Sequence, residues 1–126
     1  MTAAPQARVR FIEWKDRQIC YHDFSNILKV EKAMAAIAES RALVRAQPLN
    51  SVLTLTNSEG SRFNREIVEA LKELTKGNKP YVRAGAIIGL TGIQRVVYVA
   101  VTQFTGRRLQ TFSSAEEAKD YLVGVP

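Results

Sequence analysis

The sequence predicts an α/β fold: a single small domain in the order ββαβαβαβα, with a mostly parallel sheet opened by an N-terminal hairpin and helices packed on it. Three observations carry this. Short β-branched runs alternate with stretches whose apolar residues recur at helical spacing, the pattern of parallel strands joined by crossover helices. The stretch Ser51 to Leu71 passes from a β-rich run through a polar turn into an amphipathic helix. The 126 residues, 46% apolar and 24% charged, form an ordinary globular mix, long enough to bury a core without metal or disulfide staples.

Residues 1–7 read as a disordered lead, and 8–126 as the one domain. Val9 to Trp14 and Gln18 to Phe24 are β-prone runs around Lys15-Asp16-Arg17, a hairpin placing Ile19 and Tyr21 on one face and Cys20, His22 and Phe24 on the other. Ser25 or Asn26 offers a cap for a helix to about Ala46, with Val30, Ala33, Met34, Ile37 and Val44 on its apolar stripe and Gln47-Pro48 ending it. A strand follows over Val52 to Thr56, then the turn Asn57 to Ser61. A helix starts near Asn64, carrying Phe63, Ile67, Val68, Leu71 and Leu74 as a stripe, with Lys76-Gly77 as its basic, glycine-closed end.

Tyr81 to Ile88 reads as the next strand, its small residues Ala84, Gly85 and Ala86 either admitting a close helix or leaving room for a ligand. Thr91 and Gln94 have capping-box spacing before a helix with Ile93, Val96, Val97, Ala100, Val101 and Phe104 on one face, closed by Gly106. Tyr98 and Val99 widen that face beyond what one sheet needs, which suggests deeper burial, a pocket wall or a partner surface, a second copy of the chain included. Arg107 to Phe112 forms a last short strand. Ser113 and Ser114, each three residues before a Glu, cap a terminal helix with Ala115, Ala118, Tyr121 and Leu122.

Composition narrows the function classes. The lone cysteine, Cys20, excludes an internal disulfide and points to a reducing, cytoplasmic home. No signal-peptide core is visible near the start, and apolar runs such as Val96 to Val101 fall far short of the roughly 20 residues that span a bilayer. The net charge of +6 is spread among acids, with no basic run and no aromatic–arginine interleaving, so nucleic acid is not the expected partner. His22 and Asp23 are neighbours on a strand and point to opposite faces, so they form no relay by themselves. One His and one Cys make no metal set, and the glycines around Gly85 to Gly92 fit neither a phosphate loop nor a dinucleotide fingerprint. No catalytic residue, cofactor or metal is expected, and an enzyme is disfavoured.

The working loop is Asn57-Ser58-Glu59-Gly60-Ser61 with Arg62 and Arg65 beyond it. In an open α/β sheet functional loops lie past the carboxyl ends of strands. A phosphate on Ser58 or Ser61, about −1.5 to −2 in charge, would meet a helix N-terminus and nearby arginines. Asn, Ser and Gly also make ordinary turns and caps.

These residues carry a resemblance. Strand Val52–Thr56, turn Asn57-Ser58-Glu59-Gly60, and the late block from Gly89-Leu-Thr-Gly-Ile to Thr111-Phe-Ser-Ser-Ala-Glu-Glu-Ala resemble the STAS domains, which comprise bacterial anti-sigma-factor antagonists and the cytosolic tails of sulfate transporters. The chain looks closest to the stand-alone STAS-like group, itself similar to the CRAL-TRIO lipid-transfer fold, over roughly residues 9 to 123. In the antagonists the turn reads Asp-Ser-Ser-Gly and a partner anti-sigma kinase phosphorylates its first serine. The resemblance therefore implies Ser58 as the phosphorylated position and Gly60 as the turn glycine. Asn57 and Glu59 depart from the pattern, as does the insertion Ser61-Arg62-Phe63. What the resemblance implies is a non-enzymatic module that docks a protein, such as an anti-sigma-type kinase, through residues 57 to 65. The alternative is a carrier of a small apolar, lipid-like ligand in a pocket lined by Ala84, Ala86, Tyr98 and Val99.

Overall fold

The computed structural model describes residues 7–106 and 109–126, and the side chains of Ile93 and Phe104 lie outside that description. The expected lead, apart from Ala7, and the first two residues of the expected last strand also lie outside it. The strands are β1 (Val9–Trp14), β2 (Arg17–Asp23), β3 (Val52–Asn57), β4 (Val82–Ile88) and β5 (Gln110–Phe112); the helices are α1 (Val30–Val44), α2 (Arg65–Asn78), α3 (Ile93–Thr105) and α4 (Ala115–Val123). They form one five-stranded sheet in sequence order, with β1 antiparallel to β2 and every later pair parallel.

The hairpin turns on two residues. Trp14 pairs with Arg17, and Lys15 and Asp16 both sit at positive φ, 47° and 66°. Two left-handed residues match the twist of paired strands, so Arg17 belongs to β2 rather than to the turn. At the next junction Asn26 takes φ 54° and Ser25 bonds back to Asp23, so neither caps a helix. Helix α1 begins only at Val30, after Lys29, with no side-chain cap. Asn64 does cap α2, its side chain accepting from Ile67 N at 2.9 Å. That helix runs past Gly77 to Asn78, and a 3-10 turn (Lys79–Tyr81) leads into β4. A Cβ on Gly77 would lie 2.0 Å from the Arg45 guanidinium, so this glycine makes room for a neighbour rather than closing the helix. Gly106, at φ 67°, closes α3 as expected, and Ser114 caps α4 by accepting from Glu117 N at 3.2 Å.

Each face of the sheet buries its own cluster. Ile19, Leu53, Leu55 and Ala86 pack against Ala118 and Leu122 of α4. Cys20, Phe24 and Val52 pack against Ala33, Ala36 and Ile37 of α1 and Ile67 and Leu74 of α2. The hairpin is tied to α4 and the chain beyond it by Trp14 Nε1 donating to Asp120 Oδ1 (2.9 Å), a Lys15–Asp120 ion pair (2.7 Å) and Arg17 donating to the carbonyls of Val123 and Val125. No helix among the described residues is long and apolar enough to cross a membrane.

Candidate functional site

Loops leaving the carboxyl ends of β2, β3 and β4 are knitted into one edge. Asn26 N donates to Glu59 O (2.8 Å) and Arg62 N to Ile27 O (3.0 Å). Ser61 Oγ accepts from Ile27 N at 2.8 Å and donates to Phe24 O. Ser58 N donates to Ile88 O at 3.0 Å, which carries β3's turn onto β4. Two glycines permit this approach. Gly60 has φ 73°, and a Cβ there would meet Asn26 Oδ1 at 2.3 Å; Gly89 has φ 80°, and a Cβ there would meet the backbone N of Glu59 at 2.6 Å.

The latch on this edge is Gln94, buried on the first turn of α3. Its Nε2 donates to Ser58 O (2.8 Å) and Ser61 O (2.7 Å), while its Oε1 accepts from Thr91 N (3.1 Å). Half of the expected capping box is therefore made, and the other end of the same side chain does something the spacing does not reveal: it fixes the β3–α2 turn to α3. One planar amide satisfies two carbonyls of buried residues and one N–H.

The working loop is thus only partly an exposed one. Glu59, Gly60, Arg62 and Arg65 face solvent and Asn57 is half-buried, but Ser58 and Ser61 are turned inward at 6% and 3% exposure. Alternation along β3 explains it: Thr54, Thr56 and Ser58 share the face opposite to Leu53, Leu55 and Asn57, and Asn57 accordingly reaches Tyr21 on the α4 side, donating to its hydroxyl at 3.3 Å. The serines do not lie at the N-terminus of α2, because Arg62 and Phe63 intervene and Asn64 caps that end. Among the described residues Arg62 and Arg65 enter no ion pair.

Beneath the latch, between the sheet and helices α2 and α3, lies a cavity of about 90 Å³. Its polar lining comes from His22, Ser40, Thr54, Thr56, Ser58, Thr75, Asn78 and Gln94, its apolar lining from Phe24, Phe63, Leu71, Leu74, Ile87, Leu90, Val97, Val101 and Leu109, with Tyr98 at one wall. Of the four residues expected around a pocket, only Tyr98 is here, its hydroxyl donating to Leu109 O. Ala84 and Ala86 pack on the opposite face, against α4, because β4 alternates too. Val99 lies on the outer side of α3, 47% exposed.

His22, to which the sequence assigns neither a relay nor a metal set, is buried and lines the cavity. Nδ1 donates to Cys20 O (3.2 Å), since a carbonyl only accepts; in the neutral ring Nε2 then accepts from Ser40 Oγ (2.7 Å). Ser40 Oγ in turn accepts from Asn78 Nδ2 (3.2 Å), and Asn78 Oδ1 accepts from Arg45 Nε (2.9 Å). Burial pushes the Cys20 thiol up to about 12, so it is not the thiolate a nucleophile needs.

The architecture, five mostly parallel strands opened by a hairpin with four helices, is a SpoIIAA-like, that is STAS-like, fold. The chain is similar to an uncharacterised protein of the DUF3478 family with a SpoIIAA-like fold from Shewanella loihica PV-4, at a TM-score of 0.71 and 13% identity over 97% of this chain and 98% of that one. No family model matches the chain, and neither does any curated protein.

Proposed function

We propose that this chain is a non-enzymatic regulatory module that docks a protein partner along the loop edge at the carboxyl ends of β2, β3 and β4, with residues 57 to 65 at its centre. The observation that carries this is the Gln94 latch, which makes the turn after β3 and the start of α3 one mechanical piece. The outward groups on that piece are polar and of both signs, Glu59, Arg62 and Arg65, beside Leu28 at 67% exposure. Such an edge suits a reversible, charge-selected contact.

Ser58 is the switch in this reading. A kinase reaches its hydroxyl, which faces the cavity, only when Ser58–Ser61 lifts from Gln94. A phosphate of about −1.5 to −2 charge would then be unable to return, since no Lys or Arg among the described residues lines the cavity to pair with it. Phosphorylation would hold the loop out and change the docking edge.

The test is cross-linking capture from the native cell with wild type, Glu59→Arg/Arg62→Glu, and Ser58→Asp, each checked by circular dichroism. Loss of the same partner from the charge-reversed edge, and an altered yield with Ser58→Asp, supports docking. Folded variants that capture every partner as wild type does would end the proposal.

A further inference from the structure

Strand β3 is central, with α4 on one face and α2 and α3 on the other, yet it reads Val-Leu-Thr-Leu-Thr-Asn. A strand covered on both faces is ordinarily apolar throughout, whereas alternation belongs to a strand with one wet face. Here the polar face is roofed by helices, and Thr54, Thr56 and Ser58 line the cavity under that roof. Thr56 Oγ1 and Ser58 Oγ enter no hydrogen bond among the described residues, and each offers one donor and two acceptor positions to whatever fills the space. Across from them the wall is apolar, with Leu71 and Leu74 from α2 and Val97 and Val101 from α3.

We infer that this cavity is a binding site for a small uncharged amphiphile, whose hydroxyl or carbonyl bonds Thr56 and Ser58 while its hydrocarbon part rests on the α2–α3 wall. Size selects against lipids: about 90 Å³ holds roughly three waters at about 30 Å³ each, and is smaller than the apolar cavity of about 150 Å³ that takes up one benzene ring. Charge is selected against as well, since the described lining contains no Asp, Glu, Lys or Arg to compensate an ion in a poorly solvated space. The inference does not depend on the docking reading, although the two share Ser58. Because Ser58 both lines the cavity and is held by Gln94, occupancy would brace the latched form of the loop.

The probe is 1-propanol, small enough for the cavity, titrated against the full chain with backbone and methyl NMR, alongside propanoate and propylammonium at neutral pH. Expected is saturable one-to-one binding, with shifts centred on Thr56, Ser58, Leu71 and Val101, and at least about tenfold weaker binding of both ions. Thr56→Val with Ser58→Ala, which removes both hydroxyls, weakens propanol about tenfold or more, while Leu49→Ser at an exposed loop leaves it unchanged. A response that stays linear over the whole propanol range in which the chain remains folded overturns the inference, as do shifts scattered over the surface or equal affinity for the two ions. So does a folded double variant that binds like wild type. Should the double variant fail to fold, the comparison of alcohol with ions on the wild-type chain still decides.

Discussion

Replacing Gln94 tests the mechanical coupling on which the functional reading depends. In Gln94→Ala four hydrogen bonds vanish, those to Ser58 O and Ser61 O and those from Thr91 N and, at 3.5 Å, from Thr91 Oγ1. Their losses differ in weight. Thr91 is exposed, so its N–H turns to water. Ser58 O keeps a bond from Ser61 N at 3.3 Å. Ser61 O, on a residue 3% exposed, is left without a partner among the described residues. An orphaned buried carbonyl costs about 1–3 kcal/mol and a weakened one about 0.5–1, so the total is roughly 1.5–4 kcal/mol. Gln94→Leu separates hydrogen bonding from packing: it keeps the volume, supplies no donor and keeps water from the carbonyls. It therefore loses at least as much as Gln94→Ala if the latch is polar, and almost nothing if the side chain merely fills space. Urea unfolding followed by the fluorescence of Trp14 measures the stability. Amide exchange at Ser58, Ser61 and Arg62, faster by about tenfold or more, reports the loosened turn. The coupling is refuted if Gln94→Leu stays within about 0.5 kcal/mol of wild type and those amides exchange at the native rate.

Further tests probe the surroundings. Gly89→Ala forces an alanine to φ 80° with its Cβ 2.6 Å from the Glu59 backbone. About 1–2 kcal/mol of left-handed strain plus about 1–3 of overpacking predicts a loss of roughly 2–5 kcal/mol, and thermal denaturation showing under 1 would contradict the close approach of these loops. Ser40→Ala removes the acceptor of Asn78 and the donor to His22; about 2–4 kcal/mol is expected by urea unfolding, and a neutral result would mean the buried chain of polar groups is dispensable. The Cys20 thiol, pushed up to about 12 by burial, should resist a thiol-specific disulfide reagent at pH 8 in the native state and react at once in urea; rapid native labelling would show that the site opens. Hydrogen bonds from Lys15 and Trp14 hold the Asp120 carboxyl below the usual range. A depressed carboxylate stabilises the fold above its unfolded value of about 3.9 and loses that contribution as pH falls through the lower folded value. The Trp14 indole N–H resonance should therefore shift only below about pH 4, and not at all in Asp120→Asn; a midpoint at or above the ordinary value would refute the contact.

Much of the architecture was legible in single residues. Periodicity located the five strands and four α-helices, though not the 3-10 turn at Lys79–Tyr81, because burial on a sheet face or helix stripe leaves a repeat of two or of about 3.6 in the chain. Asn64, Gly106 and Ser114 announced their ends through local bonding that needs no tertiary context. Caps were misread where the fold overrode them. Ser25 and Asn26 are spent on bending the chain back to Asp23 and toward Glu59, and Gly77 on admitting Arg45.

The chain by itself determined which residues share a face: Cys20 with His22, and Thr54 with Thr56 and Ser58, since strand alternation is a property of the backbone. It could not determine which face is roofed by three helices and which by one, and so it put the serines beside a helix N-terminus and the pocket beside Ala84 and Ala86. Those choices depend on contacts between elements far apart in sequence, such as Gln94 with Ser58 and Ser61, and His22 with Ser40. Only the packing of the layers decides whether a hydroxyl on β3 meets water, a neighbour or an enclosed space.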